Sequence, residues 1–205
     1  KNDTILTIKG NAHSILSIER IILNCLQRMS GIATKTNSLV LMTQKYGTKL
    51  LDTRKTTPGI RFMEKWAVKI GGGENHRFGL YDAILIKDNH IDYCKGIINA
   101  VQKACEYVKK NEKIPIIVEV RNKKELADLI SLNPQIDRII LDNFNIEETN
   151  EAIKLVDGLY PLETSGNISE KNIEDYAKTG VNYISIGALT HSIKNIDMSL
   201  QAEVL

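Results

Sequence analysis

Six short apolar runs each end at or beside a residue that could do chemistry. They read KLLDTRK (49–55), AILIKD (83–88), IIVEV (116–120), RIILDN (138–143), PLETSG (161–166) and YISIGA (183–188). Arg54 with Lys55, Lys87, Glu119, Asp142, Ser165 with Gly166, and Gly187 stand at these ends. Cations close the early runs, acids the middle ones and glycines the last two. Arg54, Lys55, Arg77 and Lys87, with His76 beside Arg77, would gather positive charge around one cleft. Such a cluster repels itself unless an anion offsets it, so the implied ligand is a polyanion bearing carboxylates or phosphates. A solvated charged surface is the alternative; Lys87 weighs against it, because it follows the apolar run AILI directly.

Glu119 and Asp142 close neighbouring runs. Two carboxylates near phosphates are a usual way to hold Mg2+, directly or through its waters. Ion pairs with the same cations, or an acid/base pair, are the alternatives. Ser165-Gly166-Asn167 and Gly187-Ala188 would let backbone N–H groups approach an oxyanion. His191 lies just past that last pair. Gly71-Gly72-Gly73 is no phosphate fingerprint and is expected to free the loop presenting His76 and Arg77. His13 and His90 read as structural, and Met63 and Trp66, at helical spacing, as core.

These residues need a scaffold that brings the ends of separate runs together. The later runs recur about 22 residues apart, room for a strand, a loop and a short helix. Continuous apolar strands alternating with helices imply a parallel sheet buried on both faces. An open parallel α/β barrel of about six βα units is expected, with a doubly wound sheet as the alternative. In such barrels the site lies at the C-terminal ends of the strands. Ahead of the repeats, Ile15, Ile18, Ile22, Leu26 and Met29 mark a helix over 14–29 that Ser30-Gly31 should stop. A second helix should run to Tyr46, and TILTIK (4–9) alternates like a strand. The expected division is a remnant of an N-terminal α+β domain at 1–13, the barrel with its lead-in helices at 14–190, and a tail at 191–205 packing outside the barrel.

Composition narrows the partners. Of 205 residues, 27 are Lys or Arg and 25 are Asp or Glu, a net charge of +2 that is weak for a nucleic-acid binder. No apolar run reaches the ~20 residues of a membrane span. Three cysteines without CxxC spacing argue against a disulfide framework or zinc site, so a cytoplasmic protein is expected.

The blocks ERIILNCLQRMSGIATKT (19–36), LLDTRKTTPGIR (50–61), EKWAVKIGGGENHRFGLYDAILIKDNHI (64–91), VEV (118–120), LDNF (141–144), ETSGNI (163–168) and YISIGALTHS (183–192) closely resemble the quinolinate phosphoribosyltransferase family. The resemblance covers nearly the whole chain, in order. It implies a homodimer or larger assembly with shared active sites. The implied reaction converts quinolinate and phosphoribosyl pyrophosphate, with Mg2+, into nicotinate mononucleotide, pyrophosphate and CO2. It further implies that Arg54, His76, Arg77 and Lys87 surround the quinolinate carboxylates, with Lys55 at the junction with the phosphoribosyl site and Thr53 among the substrate-binding residues. Glu119 and Asp142 would face the ribose and Mg2+, directly or through water. Ser165, Gly166, Asn167, Gly187 and Ala188, with His191 in reach, would cradle the 5′-phosphate. Arg20 resembles an arginine supplied to the neighbouring subunit's site. Family members carry an N-terminal domain ahead of TILTIKGNAHSIL, and SGNI stands where SGGI is also familiar.

Three other functions are compatible with parts of this pattern. A related pyrophosphorylase-like family associated with molybdate transport shares the TRKT and HR blocks, although IKDNHI resembles the quinolinate version. A sugar-phosphate aldolase would use Lys87 as a Schiff-base amine. A non-catalytic barrel would bind anions or RNA at a basic mouth.

Overall fold

The computed structural model describes residues 3–111 and 113–202. The outer ends of the expected remnant and tail, at 1–2 and 203–205, lie outside them. A long helix α1 (Ala12–Thr43) and a 3-10 turn (Gln44–Tyr46) lead into six βα units. These are β1 (Lys49–Leu51) with α2 (Arg61–Ile70), then β2 (Ile84–Ile86) with α3 (Asp88–Tyr93) and α4 (Ile97–Lys110), and β3 (Ile116–Val120) with α5 (Lys123–Leu132). β4 (Arg138–Asp142) with α6 (Ile146–Val156), β5 (Leu162–Ser165) with α7 (Ile173–Lys178), and β6 (Tyr183–Ser185) with α8 (Ala188–His191) complete them.

All strand pairs are parallel, in the order β1-β6-β5-β4-β3-β2, which wraps each strand onto the next and brings the last back to the first. β1 and β2 do not pair, so the barrel is open between them. The loop 74–83 spans the opening. Glu74 donates its N–H to the Leu50 carbonyl at 2.8 Å on the free edge of β1, and Arg77 Nη1 donates to the Ala83 carbonyl at 3.0 Å beside β2.

Strand side chains alternate between two faces. Val118, Val120, Ile139, Leu141, Leu162 and Ile184 face the helices and join Leu126, Leu129 and Val156 in the main core. Ala83, Leu85, Ile117 and Ile140 form a separate apolar cluster inside the barrel. The inward parity of Ile117 and Ile140 is shared by Glu119, Arg138, Asp142, Glu163 and Ser165, so the barrel's interior and mouth are charged.

Four local expectations are corrected. The two lead-in helices are one, because Gly31 is a site of close approach and not a stop. A Cβ there would lie 2.5 Å from the Lys194 carbonyl. The end of the chain crosses α1 at this point, with Ile196 N–H donating to the Gln27 carbonyl at 3.2 Å and Gln27 Nε2 to the Met198 carbonyl at 2.9 Å. The segment 4–9 is irregular: among the described residues no strand pairs with it, and Ile5 and Leu6 are exposed. Trp66 is 53 % exposed and packs on Phe62, ring centres 5.9 Å apart, because α2 turns Glu64, Lys65, Ala67 and Val68 inward instead. Gly71 fastens more than it frees: a Cβ there would meet the Ala33 carbonyl of α1 at 2.5 Å.

Candidate active site

The cation side of the mouth is built on two ion pairs whose carboxylates are buried. At the end of β1, Asp52 pairs with Lys65 of α2, and both are buried. Asp52 also accepts from the backbone N–H of His76 at 2.9 Å, and Lys65 donates to the His76 carbonyl at 2.9 Å. This pair sets the loop that carries His76 and Arg77. Farther along, Glu64 of α2 is fully buried and accepts from Arg28 of α1, from Nη2 at 2.8 Å and Nε at 3.0 Å. Its other oxygen accepts from the Thr57 N–H at 3.0 Å, and Arg28 reaches on to the Thr190 carbonyl of α8. One ion pair therefore joins α1, α2, the 55–57 loop and α8.

On this frame Arg54 and Lys55 are exposed, with the Lys55 N–H bonded to Thr53 Oγ1 at 3.0 Å. Arg77 is half-buried, and burial, then the nearby charge of Arg54, pushes its pKa down. Its Nε is buried and has no hydrogen-bond partner. The Lys55 carbonyl accepts from Thr190 Oγ1 at 2.7 Å. The Lys55 chain and the His191 ring both lie against Gly187, where a Cβ would meet Lys55 Cδ at 3.0 Å and His191 Nε2 at 3.1 Å. Lys55, Gly187 and His191 are thus gathered at one place, with Ala188 exposed next to them.

The acid side begins with Lys87, whose Nζ donates to Glu119 Oε2 at 3.0 Å. Burial raises the Glu119 pKa and Lys87 opposes it, while Asp142 is near enough to raise it further. His90 fastens the turn after β2 by accepting the Lys87 N–H on Nδ1 at 3.0 Å. Asp142 accepts from Asn143 Nδ2 at 3.0 Å, and Asn143 Oδ1 accepts from Asn167 Nδ2 at 3.2 Å. Gly166 turns with φ +95, and a Cβ there would fall 2.1 Å from Asn143 Oδ1. Asp142, Ser165, Gly166 and Asn167 therefore form one turn structure at adjacent strand ends.

Two expected residues stand apart. His76 is buried: Nδ1 accepts from the Arg77 N–H at 2.8 Å, and Nε2 faces Glu163 Oε2 at 3.7 Å. Burial, then the charges of Arg138, Lys65, Arg77 and Lys87, lowers its pKa to about 3. It lies beneath the mouth as a neutral ring. Arg20 is exposed on the projecting first turns of α1, and among the described residues it makes no hydrogen bond or ion pair.

Sequence reasoning missed Arg28, Asp52, Glu64, Lys65, Arg138, Asn143 and Glu163. Strand parity could have found Glu163 and Arg138, which share the inward face of Ser165 and Asp142, and Asn143 stands directly beside Asp142. Arg28, Asp52, Glu64 and Lys65 declare themselves only through contacts distant in sequence. For the Arg28–Glu64 pair, Arg28→Ala leaves a buried carboxylate without its cation and should cost about 3–5 kcal/mol in urea unfolding. A loss below about 1 kcal/mol, the range of an exposed pair, would show that the pair does not hold these elements together.

Residues 32–201 match the family model described as quinolinate phosphoribosyl transferase, C-terminal domain, and residues 1–30 match the N-terminal domain of the same name. The chain is 41% identical over 210 residues to the chloroplastic nicotinate-nucleotide pyrophosphorylase [carboxylating] of Arabidopsis thaliana, covering 96% of this chain and 60% of that protein. It is 43% identical over 200 residues to the probable nicotinate-nucleotide pyrophosphorylase [carboxylating] of Bacillus subtilis (strain 168), covering 98% and 68%. Among solved structures, the nicotinate-nucleotide pyrophosphorylase from Francisella tularensis superposes with TM-score 0.86 at 50% identity, over 94% of this chain and 67% of that one. NadC from Streptococcus pyogenes gives 0.86 at 39% identity, over the same shares. The chain spans about three fifths of the length of the plant relatives (60% and 59%).

Proposed function

Because the chain belongs to the quinolinate phosphoribosyltransferase family, we propose that it transfers the phosphoribosyl group of phosphoribosyl pyrophosphate to quinolinate in NAD biosynthesis. The products are nicotinate mononucleotide, pyrophosphate and CO2. The observation that carries this is the division of the mouth: Arg54, Arg77 and Lys55 on one side, Glu119 and Asp142 on the other, with Lys87 bridging to Glu119.

Arg54, Arg77 and Lys87 bind the two carboxylates and turn the pyridine nitrogen toward C1 of the ribose; fixing that geometry removes much of the entropic barrier. The backbone at 165–167 and 187–188, with Lys55 and His191, holds the 5′-phosphate. As the C1–oxygen bond to pyrophosphate breaks, positive charge grows on the ribose, and the Glu119 and Asp142 carboxylates stabilise it. The ring nitrogen closes the new bond to C1. Once positively charged, the ring accepts the electron pair of the bond to the adjacent carboxylate, which leaves as CO2, and the ring carbon takes up a proton.

Among the described residues, no three His, Cys, Asp or Glu side chains converge to cage a metal, and Glu119 is already engaged by Lys87. This donor set fits an ion that keeps most of its waters and is held largely by substrate phosphates, the habit of Mg2+. Glu119 and Asp142 would hold it through water, and when bound it neutralises the departing pyrophosphate. Chelation should therefore stop product formation while calorimetry still shows quinolinate binding. Glu119→Gln and Asp142→Asn should likewise lower turnover about 100-fold or more, the scale of a lost transition-state contact, with little change in quinolinate affinity. Abolished quinolinate binding with phosphoribosyl pyrophosphate binding intact would overturn this assignment.

The exposed Arg20 supports a dimer or larger assembly in which each site is completed by the next subunit. Among the described residues no helix is long and apolar enough to cross a membrane, and the three cysteines are free thiols, which supports a cytoplasmic or similarly reducing setting.

A further inference from the structure

We propose that Glu163, braced by Arg138, is a positioning residue that acts through His76 to hold Arg77 at the mouth; this rests on reading Arg77 as a quinolinate contact. The Arg77 N–H donates a hydrogen bond to His76 Nδ1 at 2.8 Å. A charged imidazole carries a hydrogen on both nitrogens and could not accept there, so the ring is neutral with its hydrogen on Nε2. That nitrogen faces Glu163 Oε2 at 3.7 Å. Nδ1 is thus engaged by the protein, and Nε2 faces the Glu163 carboxyl without yet being hydrogen-bonded to it. Through Nδ1, His76 fixes the backbone of Arg77.

Glu163 is an expensive residue to place there. It is fully buried inside the barrel, and neither carboxyl oxygen is hydrogen-bonded. Arg138 Nε lies 3.2 Å from Oε2 without hydrogen-bond alignment, and Ser185 lies beside the carboxyl. Arg138 is itself stacked on Tyr183, 4.5 Å from the ring centre, which limits its movement. A buried carboxyl without a hydrogen bond costs stability that a leucine of similar size would not. Its position makes sense as a fixed acceptor for His76 Nε2–H. Hydrogen bonds in unliganded sites are often long and tighten on binding. A quinolinate carboxylate drawn to the half-buried Arg77 guanidinium would need Arg77, and therefore His76, held firmly from below. Burial, aided by Glu119, brings the Glu163 pKa to about 7 against the pull of Arg138, Ser185 and Lys87, so a neutral acceptor should serve nearly as well as a charged one.

Two variants of the full chain test this by separate calorimetric titrations with quinolinate and with phosphoribosyl pyrophosphate. Glu163→Leu removes the acceptor and should weaken quinolinate about 10- to 100-fold, the scale of a lost buried partner, while phosphoribosyl pyrophosphate stays within about twofold. Glu163→Gln keeps an acceptor oxygen and should stay within about threefold of the unchanged chain for both ligands. Wild-type quinolinate affinity in Glu163→Leu, equal losses for both ligands, or a Glu163→Gln as poor as Glu163→Leu would overturn the proposal. Should Glu163→Leu fail to fold, nitrogen NMR of the unchanged chain still decides: His76 should show a neutral ring protonated on Nε2 at pH 7, and a charged ring or the other tautomer would overturn it. Failure of the unchanged chain to bind quinolinate would sink the functional reading instead, and the NMR result would still decide the His76 arrangement.

Discussion

Chains carrying Arg20→Ala and chains carrying Lys87→Ala should each be almost inactive alone, and a re-paired mixture should regain about a quarter of its sites. Arg20 sits on the projecting part of α1, exposed and without a partner among the described residues, whereas Lys87 stands at the mouth in an ion pair with Glu119. If each site takes Arg20 from one chain and Lys87 from the other, each single lesion reaches every site. A mixed dimer then holds one doubly damaged site and one intact site. Random re-pairing of equal amounts makes about half the dimers mixed, hence the quarter. No recovery after verified subunit exchange would show that Arg20 acts within its own chain or only in folding.

Replacing Arg77 or Arg54 by Ala should weaken quinolinate by about 2–5 kcal/mol, the range for truncating one partner of a desolvated charge pair. Arg77 should show the larger effect. It is half-buried, its Nε has no partner, and its Nη1 is anchored on the Ala83 carbonyl at 3.0 Å, so the guanidinium is pre-placed; Arg54 is exposed. Arg77→Lys keeps the charge but loses the planar fork, and should recover only part of the loss. Nicotinic acid, lacking one carboxylate, should bind poorly to the unchanged chain. Equal affinity for quinolinate and nicotinic acid would contradict the role given to these cations.

Strand ends were readable because an apolar run closing on a polar residue is a local signal, and parallel βα repeats carry all such ends to one face. Lys87, Glu119, Asp142 and Ser165 could be placed on that reasoning alone. The frame beneath them was hidden for a physical reason. Arg28 and Glu64 are 36 positions apart, and nothing near either announces that one will neutralise the other in the interior. Gly31 and Trp66 misled for the same reason. A glycine inside a helix costs about 1 kcal/mol and reads as a stop until the chain crossing at Lys194 explains it. Helical spacing identifies a stripe but not which stripe faces inward, and on α2 the buried face includes Glu64 and Lys65 while Phe62 and Trp66 look out. Glu163 lay within a run read as buried, yet its parity with Ser165 points it into the barrel.

The most direct test of the central claim is to incubate the full chain with quinolinate, phosphoribosyl pyrophosphate and Mg2+ and to follow nicotinate mononucleotide and CO2 together. The account predicts the two products in equal amounts, only when both substrates are present, with nicotinic acid unable to replace quinolinate. A folded chain that releases no CO2 while forming nucleotide from nicotinic acid as readily as from quinolinate would contradict it.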